Sequence, residues 1–298
     1  MSENVNISLK LFIEYLQIEK NYSQYTIEHY QTDIKGFFMF MAEQGLKMLN
    51  DVEYMDVRLF LTKLYQEGLA RKTIARKISC LRSFFKLLVR EGMVNDNPFQ
   101  LTSIPKGDKR LPQFFYEEEM EQLFNSVEVD TALGQRNMAI LEVMYATGIR
   151  VAECASIQLS DIDLDISVIL IHGKGKKDRY IPFGSFAHDA LLKYCHDGRL
   201  KLQKEKSNHL FLNHRGGALT DRGIRGILNK LIEKSSLEGG IHPHKIRHSF
   251  ATHLMSNGAD MRTVQELLGH AFLSSTQIYT HVTPDYLKKT YNQYHPRA

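Results

Sequence analysis

The chain has 298 residues, enough for two domains of ordinary size that each bury a core. Its formal charge of +4 and pI near 8.8 are only mildly basic, so any case for a polyanionic partner rests on where the charges sit. Three widely spaced cysteines, Cys80, Cys154 and Cys195, exclude a disulfide framework and a paired zinc motif. The opening MSENVNISLKLF lacks the layout of a secretory signal, and no apolar run approaches the ~20 residues of a membrane span. These features predict a soluble, cytoplasmic protein with no membrane partner.

The first hundred residues carry helical periodicity and almost no strand signal. Weak patterns over 9–18 and 57–65 suggest two helices. Between them, Ile27, Tyr30, Ile34, Phe37, Phe38 and Met41 form one apolar stripe behind a Ser23 cap. A further stripe, Ile74, Ile78, Leu81, Phe85 and Leu88, marks a helix over 71–90. Together they predict a four-helix domain over residues 1–105. The last helix is also basic: Arg71, Lys72, Arg76, Lys77, Arg82, Lys86 and Arg90 largely avoid the apolar stripe, and no acid occurs among them. Such a face suits a polyanion; the plainer alternative is a solvated surface of long cations.

Residues 106–112 read as a basic linker. Pro105, Lys106, Gly107, Lys109, Arg110 and Pro112 interrupt any helix and add positive charge. The second domain, 113–298, is mixed. Helices are expected over 117–126 and 131–147, with a turn at Gly148. A strand over 164–172 returns at 179–182 across the turn 173–177. Helices follow at 186–204, 221–234, 243–256, 260–268, 275–280 and 284–292. Pro243 and Pro284 suit first helical turns, and Gly258 and Gly269 suit C-terminal caps. The fold class is mainly α with a small antiparallel β-sheet.

Five stretches of the second domain carry chemistry: Thr147-Gly-Ile-Arg150 with Glu153, Gly173-Lys174-Gly-Lys-Lys177, His244-Lys-Ile-Arg247, Leu268-Gly-His270, and Tyr279. Singly they are bland, since a Lys in a glycine-rich turn is usually a turn residue and one Tyr among fourteen is usually core. Gly173-Lys174-Gly175 lacks the spacing of a P-loop. Together they suggest phosphoryl transfer. His244 and Arg247 lie one helical turn apart and can address one point; Arg150, just past a helix end, suits a fork of donors on a phosphate. Glu153 could hold that guanidinium or be a plain surface acid. Two Arg, one Lys and two His are costly to gather without a shared anion. No DxD pair, HExxH or zinc pattern accompanies them, and His242, His248, His253, His281 and Cys195-His196 do not fall into ligand spacing. Phosphate chemistry of that kind needs fixed cations to stabilise the charge that develops at phosphorus.

The order Arg…Lys…His-x-x-Arg…His…Tyr resembles the tyrosine recombinases, or phage-integrase family. ATGIRVAE, GKGKKDR, HPHKIRHSFATHL and LGHAFLSSTQIYTH carry the resemblance, which extends over the whole chain and fills all six family positions. Chain length without an added arm-binding domain is most similar to the bacterial Xer branch, as is the ending THVTPDYLKKTYNQYHPRA.

The resemblance implies a SAM-like core-binding domain and a catalytic domain closing as a C-shaped clamp on double-stranded DNA. It implies Tyr279 as covalent nucleophile, Arg150 and Arg247 as phosphate clamp, and His270 as a further donor. His244 would help move the tyrosine proton, Lys174 would act as general acid, and no metal, ATP or other cofactor is expected. The implied partners are homologous recombinase subunits in a tetramer of two protomer pairs, a XerD-like partner and a FtsK-type DNA translocase. The implied task is resolution of chromosome dimers at a dif-like site during cell division, with the tail after Thr283 docking on a neighbouring subunit. Arg222 and Arg225 join Arg71, Lys72, Arg76, Lys77, Arg82 and Lys86 as expected DNA contacts. A type IB topoisomerase and a non-catalytic architectural DNA-binding factor are the alternatives.

Overall fold

The structure, a computed structural model, describes residues 3–20, 22–103, 114–173, 178–235, 237, 243–269 and 284–298. The chain forms two compact units, Met1–Arg110 and Leu111–Ala298. In the first, α1 (Glu3–Ile18), α2 (Gln24–Glu43), α3 (Tyr54–Gln66) and α4 (Arg71–Arg90) surround one core. Ser23 caps α2 by accepting the Thr26 N–H. The helices α2 and α4 supply more than half of the buried apolar side chains of this core, and Phe37 sits edge-on to Phe60, Phe85 and Phe99 with ring centroids 5.1, 6.0 and 5.3 Å away. Each such pair contributes about 0.5–1.5 kcal/mol beyond its buried area.

In the second unit the layers gather round α6 (Ala132–Thr147), which is buried on nearly every side. It follows α5 (Glu117–Asn125) and is capped by Thr131. A short helix, α7 (Val151–Ser156), was not evident from sequence: with six residues it is too brief to show a period. The sheet is three-stranded and antiparallel, β1 (Ile162–Asp163), β2 (Val168–His172) and β3 (Asp178–Pro182), with Ile169 opposite Ile181 and Ile171 opposite Arg179. The expected strand over 164–172 therefore begins at 168. Residues 164–167 form the β1–β2 turn instead, because the Asp163 carboxylate accepts the Ile166 N–H at 3.1 Å.

The expected single helix over 186–204 is α8 (Ser185–Lys193), a π-turn over Tyr194–Gly198 and α9 (Arg199–Leu202). The remaining helices are α10 (Asp221–Ser235), α11 (Pro243–Ser256), α12 (Met261–Leu268) and α13 (Pro284–Tyr294). The linker 106–112 and the helix at 275–280 lie outside the described residues. Among the described residues, no helix is long and apolar enough to cross a membrane.

The tail after Thr283 packs on its own unit in this single chain. Tyr291 is fully buried and its hydroxyl accepts the Gly184 N–H at 3.1 Å. Arg297 pairs with the buried Glu142 and lies over the rings of Phe124 and Phe186, at 4.1 and 3.8 Å. His295 Nδ1 accepts the Arg297 N–H at 3.1 Å, so the proton sits on Nε2, 3.3 Å from the Tyr145 carbonyl. A second proton would have to enter at the occupied Nδ1. Burial, with His253 and Arg297 nearby, accordingly pushes the His295 pKa down to about 3 from 6.5.

Because the folded value is depressed, His295 leaves stability untouched above about pH 6.5 and subtracts from it as the pH falls toward 3. Denaturant titrations between pH 6.5 and 5.0 should show the second unit losing on the order of 1–2 kcal/mol through this group. His253, also lowered by burial, acts in the same sense, whereas His172, raised by its bonds to Asp161 and Asp178, opposes it. His295→Gln should flatten the slope by the His295 share; an unchanged slope would contradict a neutral buried imidazole.

Candidate active site

The Thr147-Gly-Ile-Arg150 segment is a helix end followed by a helix start. Gly148 closes α6 with φ of 60°, and Arg150 is the N-cap of α7. A Cβ on Gly148 would come within 2.4 Å of Phe250 Cδ1 and 2.8 Å of Leu268 Cδ2, so only glycine fits where α6, α11 and α12 converge. The turn aims the Gly148 carbonyl at Arg247, whose Nη1 donates to it at 2.6 Å; Arg247 Nη2 donates to the Leu268 carbonyl at 2.7 Å. Arg247 is thus a buried guanidinium oriented by backbone oxygens, and burial, then the like charge of Arg150, lowers its pKa to about 10. It remains a cation at neutral pH.

Arg150 is half exposed, and of the two readings of Glu153 the structure shows the first. The Glu153 carboxylate accepts from the Arg150 N–H at 2.9 Å and from Arg150 Nη1 at 2.8 Å. It also takes a fork from Arg179, at 2.9 and 3.3 Å. Burial opposes its ionisation, but the bonds from Arg179 and Arg150 outweigh burial and hold its pKa below the usual carboxylate range. Arg179 was not singled out from sequence, yet a signal existed: strand alternation puts it on the same face as the buried Ile181. A charge on an inward face requires a partner.

His244 is exposed at the start of α11, one turn before Arg247. Lys174, His270 and Tyr279 lie outside the described residues; His270 follows Gly269, the left-handed cap of α12. His253 is buried in the core, with Nδ1 2.7 Å from the Tyr145 hydroxyl.

The basic helix α4 is less free than its sequence suggested, because acids arrive from other elements. Arg76 and Lys77 both pair with the buried Asp33 of α2, and Arg90 pairs with Glu19. Arg82 donates to the carbonyls of Phe99 and Thr102, tying down the chain that leaves the first unit. Arg71, Lys72 and Lys86 stay exposed, as do Arg222 and Arg225 on the first turns of α10.

Comparison with known proteins gives these features a family. A model of the phage integrase family matches residues 113–285, and one of the phage integrase N-terminal SAM-like domain matches residues 9–92. The chain belongs to the phage integrase family, the tyrosine site-specific recombinases. It is 56% identical to "Tyrosine recombinase XerC" of Anoxybacillus flavithermus, over 99% of this chain and 100% of that protein. It is 54% identical to that of Bacillus subtilis, over 99% and 98%. Among solved structures it resembles the XerH recombinase bound to a palindromic difH substrate in a post-cleavage complex, with a TM-score of 0.69, 25% identity and coverage of 85% of this chain and 75% of that one. A lambda integrase dimer on a COC′ core site, 18% identical over 93% of this chain and 99% of that one, shares the fold at a TM-score of 0.68. Membership sets aside the topoisomerase and architectural-factor alternatives.

Proposed function

We propose that this recombinase resolves chromosome dimers by cutting and rejoining double-stranded DNA at a dif-like site during cell division, in the cytoplasm. The observation that carries the reading is the pair of guanidiniums on the Gly148 turn: Arg247 oriented by two carbonyls and Arg150 held half exposed by Glu153. Two fixed cations are what a phosphodiester needs as charge develops at phosphorus. In this reading Arg150 and Arg247 clamp the non-bridging oxygens, and His270 adds a donor. Tyr279 Oη attacks phosphorus and the 5′-oxygen departs. His244 helps take the phenol proton and Lys174 protonates the leaving oxygen. The resulting 3′-phosphotyrosine ester keeps the bond energy, so a second 5′-hydroxyl reverses the step without ATP or a metal.

Arg71, Lys72, Arg76, Lys77, Arg82 and Lys86 serve the DNA from the first unit, and Arg222 and Arg225 from the second. In the first unit Arg71, Lys72 and Lys86 are the stronger candidates, because Arg76, Lys77 and Arg82 already hold protein partners. The names of the relatives and the DNA-bound neighbours support duplex DNA and an assembly of homologous subunits. A tetramer of two protomer pairs with a XerD-like partner, under a FtsK-type translocase, completes the proposal. In that assembly the tail docks on a neighbouring subunit, which requires exchanging its contacts with Gly184 and Glu142.

The test is to mix the protein with nicked duplex DNA carrying a chromosome-dimer-resolution site, without divalent metal, and look for an adduct that survives denaturation. An adduct on that site but not on scrambled DNA is expected. Salt-sensitive binding with no adduct on any such site would count against the proposed chemistry.

A further inference from the structure

Each oxygen of Glu153 receives two donors. Oε1 takes Arg150 Nη1 at 2.8 Å and Arg179 Nη1 at 3.3 Å; Oε2 takes the Arg150 N–H and Arg179 Nη2, both at 2.9 Å. A carboxylate so loaded cannot turn without breaking a bond to one arginine or the other. Arg179 reaches further: its Nε donates to the Leu267 carbonyl at 3.3 Å, and the next carbonyl, that of Leu268, is the one Arg247 holds. A Cβ on Gly269 would lie 2.9 Å from Arg179 Cζ, so the guanidinium is pressed against the residue that precedes His270. The strand that carries Arg179 begins at Asp178, four residues after Lys174. With side-chain exposures of 15% for Arg179 and 10% for Glu153, water competes little for these bonds.

We propose that Arg179 is a positioning residue for strand cleavage: through Glu153 it sets the fork of Arg150, and through Leu267 and Gly269 it fastens the end of α12 and the return strand of the hairpin to the same carboxylate. This rests on the reading of Arg150 as a phosphate clamp. Arg179 itself touches no substrate. A lysine there keeps the charge but offers a point donor, which can satisfy one oxygen of Glu153 and not the Leu267 carbonyl as well.

The test is the single-turnover rate of adduct formation on nicked duplex DNA carrying a chromosome-dimer-resolution site, for wild type, Arg179→Lys and Arg150→Ala. Arg179→Lys should slow cleavage on the order of 10- to 100-fold, as a displaced clamp would, with DNA affinity changed less than about twofold. The same rates are then measured with a methylphosphonate at the scissile position, whose neutral phosphorus centre has less charge for Arg150 to neutralise. The ratio of wild type to Arg179→Lys should shrink there to below about threefold, in parallel with Arg150→Ala.

A ratio that stays as large on the methylphosphonate would mean Arg179 acts by general packing and would overturn the inference. So would a wild-type rate for Arg179→Lys on ordinary DNA while Arg150→Ala is defective. If Arg150→Ala cleaves normally, the clamp reading itself fails, and this inference falls with it. Should Arg179→Lys melt below the assay temperature, Glu153→Gln, of the same shape, interrogates the same link through the same two ratios.

Discussion

Tyr279→Phe is expected to abolish the covalent DNA adduct while leaving DNA affinity within about twofold of wild type. The substitution removes one oxygen, the atom assigned to form the bond to phosphorus. Loss of the nucleophile in a covalent mechanism costs on the order of 10⁶ in rate. In the proposed function binding rests on cations meeting phosphates, and the exposed Arg71, Lys72, Lys86, Arg222 and Arg225 offered for it are left unchanged. Denaturing gels of the nicked substrate with both proteins read the adduct, and a salt titration reads the binding. An adduct of undiminished yield in the variant would move the chemistry to another side chain and break the assignment of Tyr279.

Gly148→Ala should be a strongly damaging single-methyl change at the centre of the candidate site. The residue sits at φ 60°, where an L side chain is strained, and the new Cβ would fall 2.4 Å from Phe250 and 2.8 Å from Leu268. Phe250 is fully buried, so the clash can be relieved only by moving α6 against α11 and α12. Backbone strain of about 1–3 kcal/mol and overpacking of about 1–3 kcal/mol together predict a loss of roughly 2–6 kcal/mol. The functional loss should exceed what unfolding explains. The Gly148 carbonyl orients Arg247 and the next turn carries Arg150, so an ångström of shift costs about 10²-fold in cleavage even where the protein is folded. Gly36→Ala is the control: it lies inside α2 with nothing within 4 Å of its Cβ, and should be neutral or slightly stabilising. Equal melting temperatures for the two variants would contradict the packing described at Gly148.

Much of the fold is legible in the sequence. The stripes from Ile27 to Met41 and from Ile74 to Leu88 are long enough for a 3.6-residue period to be unambiguous, and both helices bury those residues, Tyr30 only in part. The strand before residues 173–177 is legible in its Ile- and Val-rich alternation, and the one after them in its ability to pair back against it. Where the elements were short, periodicity failed: six-residue α7 and the two-residue β1 carry too few positions to show one, and the turn at 164–167 is set by a single Asp163 bond.

The family, the order of its motifs and the residue types available for the chemistry are legible in the chain, because these are local strings with their own spacing. Which charges meet is set by the packing of distant elements. An acid-free helix in sequence lends Arg76 and Lys77 to Asp33, 43 and 44 residues away. Glu153 resolves from surface acid to shared anchor because Arg179 arrives from a strand 26 residues on. The tail closes over Glu142 through Arg297, at a separation of 155 residues. Periodicity encodes which face of an element is buried, but the partner of a buried charge is chosen by the packing of distant elements, and no local pattern records it.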